Sequence, residues 1–73
     1  MYVFKMIETH DLFGGRTSYG ILAKSYEGGV MQDAAIIPGF SYDKEFVLGL
    51  LERCERNQLS PLHLFDVVTD ALS

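Results

Sequence analysis

At 73 residues, with a formal charge of −4 and one cysteine, the chain is expected to form a single domain, residues 1–73, around one small core. Six Lys and Arg stand against ten Asp and Glu, and Lys5, Arg16, Lys24, Lys44, Arg53 and Arg56 are scattered, which argues against nucleic acid and against an anionic membrane surface as partners. Cys54 has no intramolecular disulfide partner and no Cys/His spacing suits structural zinc, so a cytoplasmic protein with a reduced thiol and no cofactor is expected.

The chain opens on Tyr2-Val-Phe-Lys-Met-Ile-Glu, too short and too interrupted by charge for a signal segment or a membrane span. Its period of two predicts a strand from Tyr2 to about Glu8, with Tyr2, Phe4 and Met6 facing inward. His10 to Arg16 breaks the alternation, and Gly14-Gly15 permits the turn of a first hairpin. Alternation resumes from Thr17 to Tyr26, with Thr17, Tyr19, Ile21 and Ala23 on one side. The glycines of Glu27-Gly28-Gly29 signal a second hairpin into a strand from Val30 to Ile37. Pro38-Gly39 is expected to end that strand, because proline has no N–H for the ladder.

The second half switches to helical spacing. Ser41 or Asp43 is suited to cap a first helix that ends near Asn57, and Phe46, Val47, Leu50, Leu51 and Cys54 share its apolar arc. Ser60-Pro61 reads as the N-cap and first position of a second helix, stapled by Leu59 against Leu64. Its expected inward arc is Leu64, Phe65, Val68, Ala71 and Leu72, with Val67 at the margin. The fold class that follows is α+β: a three-stranded antiparallel meander, then two helices packed on one face, β-β-β-α-α.

Thr17-Ser18-Tyr19-Gly20-Ile21 in the second strand and Leu59-Ser60-Pro61-Leu62-His63-Leu64-Phe65-Asp66-Val67-Val68-Thr69-Asp70 at the C-terminus carry a resemblance. Together with Phe40-Ser41-Tyr42-Asp43 they make the chain similar to a family of small uncharacterised bacterial proteins, classed as a domain of unknown function. The Ile37-Pro38-Gly39-Phe40 stretch departs from the family pattern. The resemblance implies a fold and a bacterial setting, and no catalytic residues.

Few residues suggest chemistry. His63, Asp66 and Asp70 lie at i, i+3 and i+7, within roughly a 60° helical arc, and form a weak metal or catalytic candidate; a solvated polar face explains them better. His10-Asp11 beside Gly14-Gly15 reads as ordinary turn chemistry, and Cys54, on the apolar arc, as a structural thiol. The informative anomalies are apolar residues where solvent is expected. Leu12 and Phe13 occupy a loop tip, and Leu48 projects away from the first helix's arc, between Glu52 and Glu55. Val3, Ile7 and Leu22, with some of Val30, Met31, Ile36 and Ile37 depending on register, lie on the sheet face that the helices leave bare. A core this small typically supplies no more than about 3–5 kcal/mol, and open strand edges invite pairing. The expected function is therefore a non-enzymatic protein-interaction or regulatory module, acting as a homodimer or with a protein partner. The alternative is a small metal- or ligand-binding protein or enzyme using the His63, Asp66 and Asp70 face.

Overall fold

The computed structural model describes residues 1–73. Three strands, β1 (Tyr2–His10), β2 (Thr17–Glu27) and β3 (Val30–Ser41), form one antiparallel sheet in the order β1-β2-β3. Helix α1 (Lys44–Arg56) follows, then a 3-10 turn (Pro61–His63) and helix α2 (Leu64–Leu72). The arrangement is α+β, three antiparallel strands and then two helices.

Side-chain alternation sets the two faces of the sheet. Phe4 pairs with Ala23 and Met6 with Ile21 between β1 and β2, while Ile21 pairs with Ile37 between β2 and β3. These residues face the helices. The core joins Phe4, Ile21 and Ala23 to Val47, Leu50 and Cys54 of α1 and to Leu64 and Val68 of α2.

The second hairpin turns through Gly28 and Gly29 with φ of 58° and 80°, the paired positive φ of a two-residue turn whose twist matches the strands. β3 then runs past Pro38 to Ser41, so the expected end at Ile37 is corrected. Tyr19 pairs with Ser41 and Ile21 with Ile37, which leaves Pro38, Gly39 and Phe40 opposite Gly20 alone. Inside such a bulge on an edge strand no ladder bond is asked of the proline, so it does not stop the strand. Gly20 makes the crossing possible. A Cβ there would lie 2.7 Å from Pro38 Cα and 2.8 Å from Gly39 N.

Asp43 caps α1, its Oδ1 accepting from Phe46 N at 3.2 Å, and Ser41 Oγ in turn accepts from Asp43 N at 3.1 Å. The far end closes without glycine. Gln58 N donates to Glu55 O and Leu59 N to Cys54 O, the reciprocal pair of a Schellman motif, with Gln58 in the left-handed region at φ 47°.

The second helix needs two corrections. Ser60 Oγ accepts from Leu62 N, but Pro61–His63 is a 3-10 turn and the α-helix begins at Leu64. Its buried residues are Leu64 and Val68, with Val67 and Ala71 half-buried, whereas Phe65 and Leu72 point to solvent. The inward set has the spacing i, i+3, i+4, i+7 of a single helical stripe. The 3-10 turn, at a tighter 3.0 residues per turn, changes the phase with which α2 meets the sheet. No helix of the protein is long and apolar enough to cross a membrane.

Candidate interaction surface

Asp11 builds the β1–β2 turn from both its main chain and its side chain. Its N–H donates to Arg16 O at 2.8 Å, its C=O accepts from Gly15 N at 3.0 Å, and its Oδ1 accepts from Phe13 N at 2.9 Å. Main-chain N–H groups of Phe13 and Gly14 hold the Asp11 carboxyl below its usual range, against a small opposing effect of desolvation. His10 Nδ1 and Thr17 Oγ1 lie 2.9 Å apart across the base, and the Arg16 guanidinium lies 3.9 Å over the Tyr42 ring. On this fixed turn Leu12 is 91% and Phe13 100% exposed.

The face of the sheet away from the helices carries the second group of predicted residues. Val3 pairs with Lys24, Lys5 with Leu22 and Leu22 with Ile36, so these side chains share that face with Ile7, opposite Gly20. Val3, Ile7 and Leu22 are half-buried, shaded by their neighbours, while Ile36 is 59% exposed. The register decides the residues that the sequence left open. Ala23 pairs with Ala35 and Lys24 with Asp33, so Ala34 is an inserted residue. Without the insertion Met31 and Ile36 would point to opposite faces; with it, both join Tyr26 on the bare face, and Ile37 joins the core. Lys24 and Asp33 form an ion pair there at 3.6 Å.

Leu48 is half-buried rather than projecting freely, and it is not part of the core. Phe46, Gly49, Leu50 and Arg53 line the groove between α1 and α2 together with Val67, Asp70 and Ala71. The opposite flank of α1 therefore carries Lys44, Leu48, Leu51 and Glu55, and Gln58 just beyond it reaches β1. Gln58 Oε1 accepts from Tyr2 N at 3.0 Å and Gln58 Nε2 donates to Tyr2 O at 3.2 Å. Sequence reading missed Gln58. Its signal was a helix end without glycine, which forces another residue into the left-handed region at roughly 1–2 kcal/mol.

His63, Asp66 and Asp70 are all exposed, His63 in the 3-10 turn and the two aspartates on α2. They make no cluster of metal-ligating side chains. Cys54 is buried, and desolvation pushes its thiol up more than the nearby Arg53 charge draws it down. Among the cations, Lys24 pairs with Asp33, Arg56 with Glu52 at 3.5 Å, and Arg16 stacks on Tyr42.

Set against known proteins, residues 2–73 match the model of one family, described as a family of unknown function (DUF6514). No curated protein and no solved structure matches the chain.

Proposed function

The chain belongs to this family of unknown function, DUF6514, and we propose that it is a non-enzymatic interaction module. It docks another protein through the Leu12–Phe13 turn and the uncovered sheet face. The observation that carries this reading is Phe13, fully exposed on a turn whose main chain is already fixed by Asp11. An aromatic side chain held out on a preordered turn loses little conformational freedom on binding, which is the property of an interface anchor. The bare face adds Leu22, Met31 and Ile36 as a shallow apolar surface that runs from the middle of the sheet to the end away from the turn. The net charge of −4 favours a partner whose apolar cleft has a cationic rim. The buried Cys54 thiol suits the reducing cytoplasm, and the resemblance to small bacterial proteins supports a bacterial setting.

The test is site-specific photocrosslinking in living cells, with p-benzoylphenylalanine at position 13 and, as control, at exposed position 69 of α2. The expected result is a discrete adduct with a second protein from position 13 only. Identical adducts from both positions, or none from position 13, would remove the basis for the reading.

A further inference from the structure

On the bare face, β2 and β3 stand side by side in three rungs. Tyr26 pairs with Met31, Lys24 with Asp33 and Leu22 with Ile36, and partners across an antiparallel pair point to the same face. Each rung is matched within itself: apolar with apolar in the outer two, and in the middle one a cation 3.6 Å from an acid. The extra residue at Ala34 creates this order, because it brings Met31 and Ile36 onto one face. The apolar rungs are open to solvent. Tyr26 is 45%, Met31 46% and Ile36 59% exposed, and a hollow of about 200 Å³ opens between Leu22, Asp33, Ala34, Ala35 and Ile36.

We infer that this patch seats the same patch of a second copy, the two sheets stacking face to face about a two-fold axis that runs along the strands between β2 and β3. The inference rests on the interaction reading and deepens it by giving the bare face its partner.

Symmetry selects the second copy. A two-fold contact sets a surface against itself, so a charged patch ordinarily meets its own sign. An axis between β2 and β3 instead carries each β2 residue over its own ladder partner in the second copy. Tyr26 meets Met31 of the second copy, Lys24 meets Asp33 and Leu22 meets Ile36, and the reciprocal contacts repeat all three. The hollow beside Leu22 has room for an aliphatic side chain of the facing copy. An axis along β2 itself would oppose two Lys24 side chains, a like-charge contact that disfavours that arrangement.

The distribution of charge agrees. Of the ten Asp and Glu, Asp33 alone lies on this face. Glu8 and Glu27 alternate to the helix side, and the others belong to the first turn and the helical layer. Lys24 neutralises Asp33, so two chains of net charge −4 approach with least repulsion here.

Area and shape point the same way. The chain exposes 4987 Å², against about 4,500 Å² typical of a folded monomer of its mass. The surplus of roughly 500 Å² suits each partner of a small interface, below about 1,200 Å² over both, the size of a dimer that dissociates readily. The chain is also a slab, 17 Å in its shortest extent against 25 and 42 Å. Stacking on the bare face completes a helix–sheet–sheet–helix sandwich.

The experiment is light scattering and sedimentation of the full chain over a dilution series. Wild type should be a dimer that dissociates on dilution. Ile36→Asp, Lys24→Asp and Asp33→Lys should each raise the dissociation constant at least about tenfold, with the far-UV spectrum unchanged because all three positions lie outside the core. Mixing the Lys24→Asp and Asp33→Lys chains should restore a dimer, since every charged contact across the axis then joins opposite signs. Phe13→Ser should leave the dimer unaltered. A monomer at every concentration, a dimer indifferent to Ile36→Asp, no dimer from the mixture, or a dimer lost in Phe13→Ser would each overturn the inference. The crosslink at position 13 reads the turn and not this face, so the two readings fail separately.

Discussion

Asp11 shows how one side chain presents another. Its carboxylate accepts the main-chain N–H groups of Phe13 and Gly14, which would otherwise be free in a turn with no ladder to satisfy them. The sign of its pH dependence follows. The folded carboxyl lies below the ordinary value near 3.9, so its contribution to the turn is fully present above that value and is lost as pH falls through the lower folded value. In an NMR titration the Phe13 and Gly14 amides should move together with a midpoint below the usual carboxylate range. Asp11→Ala should abolish that titration and speed exchange of both amides, with global melting little changed. Amides that titrate in the ordinary range would contradict this account of the turn.

At the level of elements, α2 separates what periodicity reveals from what it hides. Leu64, Phe65, Val68, Ala71 and Leu72 make a plausible stripe in projection, yet the structure turns the helix so that Val67 goes in and Phe65 and Leu72 come out. Projection fixes the angular spacing of residues and leaves the rotation of the helix about its axis to tertiary packing. Leu64→Ala should therefore destabilise the fold by about 2–5 kcal/mol, as buried leucine truncations do, while Phe65→Ala should stay within about 0.5 kcal/mol. Urea denaturation of the two variants decides it. Equal losses would restore the arc expected from sequence. The same limit explains β3, where counting parity from Val30 cannot reveal the inserted residue at Ala34, and with it the face that Met31 and Ile36 share.

For the molecule as a whole, Cys54 is a reporter of global opening. It lies in the core between helix and sheet at 2% exposure, and burial pushes its thiol up. It packs in the core cluster with residues of the sheet and of α2, so its labelling should require opening of that core. In the native state a thiol-specific reagent should react far more slowly than with the denatured chain, and the rate should rise with urea in parallel with loss of the far-UV signal. Labelling at a native rate near that of the free thiol would place Cys54 on a mobile surface instead.

The sequence by itself determined the class of the fold, the order of its elements, the inward faces of β1 and β2, and the capped starts of both helical segments. Each of these is local: a period of two or 3.6, a cap, or a pair of glycines acts within a few residues. The same reading named Leu12 and Phe13, because apolar residues in a turn have nothing nearby to bury them. What tertiary structure alone decided was relational. Passage of Pro38 through a bulge depends on Gly20 across the sheet, and the rotation of α2 depends on the core it meets. The capture of Tyr2 by Gln58 joins residues 56 positions apart. Such features follow from long-range pairing, and no local pattern encodes which of several compatible partners a backbone group will find.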